Sequence, residues 1–124
     1  MVSDAVEAGQ TIYVTYTKTN PETGEVYSGR ASGKGTPDNV LKKRDSNHHK
    51  GDSFGPAQLD RVSTDKQAIR GREQQLIDTF GKAKSVGGTS GNAINGISDR
   101  NKNKSTFLRK AIKLLGDLAG GGGN

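Results

Sequence analysis

QTIYVTYTKTNPETGEVYSGR, residues 10–30, is the stretch that decides the fold. From Gln10 to Lys18 the residues alternate, with Ile12, Val14 and Tyr16 on one side and Thr11, Tyr13, Thr15 and Thr17 on the other. That period of two, in β-branched and aromatic residues, predicts a strand. Asn20-Pro21-Glu22-Thr23-Gly24 follows. Pro21 suits the second position of a type I turn, and Gly24 suits a left-handed residue that closes a hairpin. Glu25–Arg30, EVYSGR, is then the returning antiparallel strand.

Downstream of the hairpin the signals change period. Ala31–Gly35, with two glycines, reads as a flexible joint. Thr36 can cap a helix with Pro37 at its first position. That helix is expected to run to about His48, with Val40, Leu41, Arg44 and His48 on one face and Arg44 and His48 four apart. A solvated basic helix, Lys42-Lys43-Arg44, with incidental histidines fits the same residues. After a loop at His49–Pro56, Ala57–Ser63 predicts a short third strand from Leu59 and Val62. Thr64, with Gln67 three residues on, resembles a capping box. It opens a helix through Ala68–Gly81, AIRGREQQLIDTFG, closed by Gly81. Gly71 inside that helix costs roughly 1 kcal/mol relative to Ala, which points to close packing or to a ligand near the backbone. Lys82–Asn103 is a polar loop anchored by Ala93, Ile94 and Ile97. A last helix starts at Ser105 or Thr106 with Leu108, Ala111, Ile112, Leu115 and Leu118 as its apolar stripe. The class is α+β: a small antiparallel-containing sheet, hairpin plus short third strand, flanked by helices. Residues 1–9 read as a flexible lead-in, 10–119 as a single domain and 120–124 as a disordered Gly-rich tail.

Composition limits the function. The chain has 124 residues, 29% hydrophobic, with 18 Gly and no Cys. Its core is therefore small, and disulfides, thiolate metal sites and a Cys nucleophile are excluded. No stretch reads as a membrane span, and the start does not read as a signal peptide. Charge is uneven: residues 1–60 carry 7 Lys+Arg against 8 Asp+Glu, and residues 61–124 carry 12 against 5. A basic half beside a neutral half favours a polyanionic partner, nucleic acid first.

One residue breaks the apolar pattern. In the helix through Ala68–Gly81, Ile69, Leu76, Ile77 and Phe80 share a face, and Glu73 sits in the middle of it. An unpaired buried carboxylate is expensive, so Glu73 is paired, metal-bound or chemically employed. Arg70 and Arg72 are the nearest candidates for a purely structural pair. Together with a helix-borne Arg and His and the hairpin tyrosines, Glu73 suits metal-assisted phosphodiester hydrolysis. Glu73 would hold a hard cation, Mg²⁺ or Mn²⁺, through oxygen. Arg44 would stabilise the extra charge of the transition state. A Tyr hydroxyl or His imidazole would take the proton from water. Other chemistries lack their parts: there is no third ligand for a zinc site at His48-His49, no GxxxxGK[ST] or GxGxxG loop, and no GxSxG.

At this point the residues resemble a family. Tyr13 in TIYVTY, followed after a short hairpin by Tyr27-Ser28-Gly29 in VYSG, resembles the paired signature of GIY-YIG nucleases, with Thr11 at the first Gly and Ser28 at the second Ile. The resemblance implies an arginine on the following helix, matched by Arg44 with Arg30 as the alternative, and a histidine after it, His48 or His49. It also implies a metal-binding glutamate, Glu73 in GREQQLID, and a loop asparagine, Asn95 or Asn92 in NAINGIS. Arg30, Lys42, Lys43, Arg70, Arg72, Lys104, Arg109 and Lys110 would then grip the nucleic acid, DNA first and RNA as the alternative. TYTKTNPETGEVYSGR, RDSNHH, AIRGREQQLID and NAINGIS together also resemble C-terminal toxin domains of bacterial polymorphic secreted proteins, including Rhs-type carriers. This second resemblance implies delivery into the cytoplasm of a rival bacterium, no membrane insertion by the domain, and a cognate, acidic immunity protein. A non-catalytic nucleic-acid-binding module, or a toxin with other chemistry such as an RNase, are the alternatives.

Overall fold

The computed structural model describes residues 9–47 and 53–118. The hairpin forms as the alternation requires. Strand β1 (Thr11–Thr19) and strand β2 (Val26–Lys34) pair antiparallel from Thr19↔Val26 to Thr11↔Lys34. Asn20 holds the turn: its Oδ1 accepts from Glu22 N at 2.9 Å, its backbone O accepts from Gly24 N at 2.8 Å, and Gly24 takes φ 79°. Strand β2 continues through the expected joint at Ala31–Gly35. It stops only at Gly35, whose φ of 105° turns the chain. Helix α1 (Pro37–Ser46) begins under the Thr36 cap, whose hydroxyl accepts from Asn39 N, and ends at Asn47. His48 and His49 lie outside the described residues, as do the lead-in up to residue 8 and the tail from residue 119.

Strand β3 (Gln58–Ser63) pairs antiparallel with β1, with a bulge between Thr15 and Tyr16, so the three-stranded sheet has the order β2-β1-β3. Helix α2 (Lys66–Thr79) is capped by Asp65 rather than Thr64, because the Asp65 carboxylate accepts from both Gln67 N and Ala68 N. Its other end closes as expected: Gly81 takes φ 119°, and Lys82 N donates back to Ile77 O at 2.8 Å. The class is α+β, an antiparallel sheet flanked by helices. No helix among the described residues is long and apolar enough to cross a membrane.

Two faces of the sheet carry different partners. Ile12, Val14 and Tyr16 of β1 bury themselves against Val40 and Leu41 of α1, with Tyr27, Ala31, Ala57 and Val62 around them. On the opposite face, Thr15 and Arg30 reach the α2 side through Asp60, Arg72 and Glu73. Helix α3 (Lys104–Leu115) packs on α2 so closely that a Cβ on Gly71 would lie 2.1 Å from Phe107 O. Close packing is therefore what Gly71 provides. The buried line of α3 overlaps the expected stripe only in part. Phe107 and Ala111 are buried, Leu108 and Leu115 only partly, and Ile112 is 44% exposed.

The polar segment between α2 and α3 is ordered largely by backbone pairing, with Ile97 as a buried apolar anchor. Lys84 N and Ser85 N donate to Asn92 O and Ala93 O, both at 2.9 Å, and Gly91 N donates to Val26 O at 2.8 Å. A short 3-10 turn at Lys84–Val86 starts it. Of the expected anchors, Ile97 is fully buried, whereas Ile94 is 71% exposed and Ala93 also faces outward. Buried Ser90 and Asn92 take their place.

Candidate active site

Register decides which tyrosine of β1 meets which residue of β2. Tyr16 lies opposite Gly29, and Lys18 lies opposite Tyr27, so Tyr16 and Tyr27 share the α1 face. Their ring centroids are 6.4 Å apart, tilted by 45°. Gly29 is required there: a Cβ would sit 2.6 Å from both Cζ and Oη of Tyr16 and 2.9 Å from the Tyr27 ring. Arg44, one turn beyond Val40 on α1, donates from Nε to Tyr16 Oη at 3.1 Å. Burial drives the Tyr16 phenol up to about 12, with the Arg44 hydrogen bond opposing and the charges of Tyr27 and Glu73 adding to the rise. The Tyr27 phenol is also pushed up, first by burial and then by Glu73. Both are protonated hydroxyls at neutral pH. Arg44 is held still more firmly charged, chiefly by its bond to Tyr16.

Glu73 comes from the other side of the strand. It is 8% exposed, and its Oε1 accepts from Arg30 Nε at 3.0 Å. Its partner is thus Arg30 of β2, next to Gly29, and not Arg70 or Arg72. Burial pushes the Glu73 carboxyl up, opposed by Arg30 first and then by Arg70 and Arg44. Gly96 leaves room for it, since a Cβ there would lie 2.4 Å from Oε1. Tyr27, Glu73, Asn92, Asn95 and Gly96 line one cleft of about 310 Å³. Tyr16, Tyr27, Arg44 and Glu73, drawn from β1, β2, α1 and α2, therefore form one electrostatic cluster around the edge of the sheet.

The remaining residues singled out in the sequence divide clearly. Tyr13 pairs with Ser32 on β2 and lines a separate cleft of about 280 Å³ with Arg30, Lys66 and Ile69. The β1 tyrosine beside Arg44 is Tyr16 rather than the expected Tyr13; its place depends on the Thr19↔Val26 closure of the hairpin, one residue beyond the turn expected at Asn20–Gly24. Asn92 is a structural clamp. Its Oδ1 accepts from Ser28 N at 2.9 Å and its Nδ2 donates to Ser28 O at 2.8 Å, fastening the loop to β2 beside Tyr27 and Gly29. Asn95 accepts from Gln74 Nε2 at 3.0 Å.

The basic residues differ in the same way. Arg72 is buried and bound twice by Asp60, through Nε at 2.8 Å and Nη2 at 2.9 Å, so it is not a surface contact. Arg70 stacks over the Phe107 ring at 5.5 Å. Lys104 pairs with Asp99, and Lys110 bonds Gln67. Lys42, Lys43 and Arg109 are exposed.

Among the described residues, no three His, Cys, Asp or Glu side chains gather as a ready-made metal cage. Glu73 offers a single carboxylate at the wall of an open cleft. A single carboxylate is a donor set that only a hard cation keeping most of its waters could use, and Oε1 here is already bonded to Arg30. No protein-family model, curated protein or solved structure matches this chain.

Proposed function

We propose that the Tyr16–Tyr27–Arg44–Glu73 cluster is the catalytic centre of a metal-dependent endonuclease of GIY-YIG-like type. The observation that carries this reading is the convergence itself. Buried Glu73 and half-buried Tyr27 line one cleft open to solvent, and beside Tyr27 the buried Tyr16 is held by Arg44, so that four elements each contribute one of these residues. Phosphoryl chemistry needs fixed donors where charge develops, and Arg44 with the two tyrosine hydroxyls supplies such donors beside Glu73.

In this reading Arg44 binds a non-bridging oxygen of the scissile phosphate. Its Nε is already fixed on Tyr16, so the guanidinium arrives preorganised. The Tyr16 and Tyr27 hydroxyls orient the attacking water or the phosphate oxygens as donors. Glu73 would hold Mg²⁺ or Mn²⁺, and that cation would supply charge neutralisation at the phosphate. Arg30 restrains the Glu73 carboxylate from one side. DNA is the first substrate to test, with RNA second. Delivery into a target bacterium and an acidic immunity partner belong to the same proposal and rest on the resemblance of the sequence motifs alone.

The test is incubation with supercoiled plasmid and, in parallel, structured RNA, in Mg²⁺, in Mn²⁺ and in EDTA, beside Glu73→Gln. The expected result is nicking that needs both the cation and Glu73. Nicking that persists at the wild-type rate in Glu73→Gln overturns the assignment of that residue. An intact, folded protein that cleaves neither nucleic acid with any divalent cation overturns the nuclease.

A further inference from the structure

A groove of about 530 Å³ runs between the C-terminal half of β2 and helix α1. Its lining includes Lys34, Asn39, Lys43, Arg44 and Asn47, and no acidic residue. Gly33 forms the floor where α1 lies on the sheet, with its Cβ position 3.2 Å from Val40 Cγ2. Among the described residues, neither Lys34 nor Lys43 takes part in an ion pair. The contrast with the other helices is informative. Arg72, Lys104 and Lys110, which the sequence also offered as nucleic-acid contacts, are all engaged by carboxylates. The groove thus concentrates unneutralised positive charge beside hydrogen-bonding asparagines.

One residue belongs to both places. Arg44 lines the groove and also holds Tyr16 Oη. Lys34 and Lys43 line the same groove as Arg44, so a chain of phosphates lying in it has all three cations within its walls.

We infer that the β2–α1 groove binds the sugar-phosphate backbone of the substrate strand next to the scissile phosphate. Lys34 and Lys43 contact the flanking phosphates, and Asn39 and Asn47 are the polar groups beside them. This rests on the hydrolase reading for the role of Arg44, but the groove's affinity for a polyanion does not depend on catalysis. Lysine contacts to phosphate carry no base information, so the groove positions the strand without selecting its sequence. Each such contact releases counterions and adds to the salt dependence of binding.

The measurement is fluorescence anisotropy with a labelled oligonucleotide in EDTA, over a series of salt concentrations. It compares wild type with Lys34→Ala/Lys43→Ala and with Arg100→Ala/Lys102→Ala, which removes equal charge from an exposed turn. Circular dichroism confirms that all three are folded. The groove variant is expected to bind more weakly, with a slope of log affinity against log salt shallower by about 1 per lysine removed. The control variant keeps the wild-type slope. If the groove variant and the control lose affinity equally, or if wild type binds no oligonucleotide, the groove assignment fails. If the groove variant alone loses binding while wild type cleaves nothing with any cation, the groove stands and the hydrolase falls.

Discussion

Glu73 concentrates the tension between folding and chemistry. Its carboxyl is held above the ordinary value of 4.5, chiefly by burial, so the fold favours the neutral form. The stability tied to that preference is fully present below pH 4.5 and is lost as pH rises through the higher value of the folded protein. Glu73→Gln keeps the shape and an acceptor for Arg30 but carries no charge. Its melting temperature is therefore expected to match wild type at pH 4 and to exceed it increasingly as pH rises through that window, while cleavage is lost. Thermal melts between pH 4 and 8 check this, and a variant equally destabilised at all pH values would contradict it.

Arg44 and Tyr16 are separable by kinetics. Arg44→Ala is expected to lower kcat about 100- to 1000-fold, as loss of a donor to developing charge does. Arg44→Lys should recover little, because a point ammonium cannot both hold Tyr16 and face the phosphate. Tyr16 itself was legible in the alternation of β1. Its meeting with Gly29 follows from closure at Thr19↔Val26, which the turn residues alone do not determine, since closure one residue earlier would set Tyr16 opposite Ser28. The Arg30–Glu73 pair was not legible, since those residues are 43 apart in the chain and no local period links them.

Among the elements, α2 and α3 show how one missing side chain sets an interface. With 2.1 Å between the Gly71 Cβ position and Phe107 O, Gly71→Ala forces the helices apart. A loss of about 1–3 kcal/mol is expected despite alanine's better helix propensity, and urea titration measures it. The amphipathic reading of α3 placed Ala111 correctly and Leu108 and Leu115 in part, but it missed Phe107 and put exposed Ile112 inside. Period alone placed Ile112 inside, but the close crossing at Gly71 selects the line of Phe107 and small Ala111. Tertiary approach distance is not written in the helix's own sequence. The caps and turns, by contrast, were largely legible, because Thr36, Pro37, Gly24 and Gly81 act on their immediate neighbours. The exception is the start of α2, where Asp65, one residue after the expected Thr64, takes the cap.

Across the whole molecule, a buried polar junction ties the layers together. Asp60 of β3 accepts from Thr15 of β1 at 2.7 Å and from Arg72 of α2, while Arg72 Nη1 donates to Gly116 O at 3.4 Å just past α3. Burial would raise the Asp60 carboxyl, but the Arg72 and Thr15 hydrogen bonds and the Arg72 charge outweigh it and hold it below the ordinary 3.8. Its contribution is present above pH 3.8 and is lost as pH falls through the lower folded value. Asp60→Asn leaves Arg72 buried without its countercharge and is expected to cost about 3–5 kcal/mol at neutral pH, read by chemical denaturation. Neither the uneven charge of the chain nor any motif announced this junction. The same four letters, RGRE at residues 70–73, contain a structural arginine and a candidate catalytic glutamate that only the packing tells apart.

Strand β1 has unequal neighbours. It joins β2 through a short turn, but it meets β3 across some 45 residues, as the Thr15–Asp60 bond shows. Closing a short loop costs little entropy, and closing a long one costs more and happens later. Tyr16, Gly29 and Tyr27 therefore come together early, in the hairpin, and Arg44 can join them once α1 docks nearby. Glu73 arrives only when α2 settles against the sheet. The order of assembly separates Arg44 and the two tyrosines from Glu73 in time, so under the proposed function a partly folded chain would hold the pieces that grip a phosphate before the carboxylate arrives.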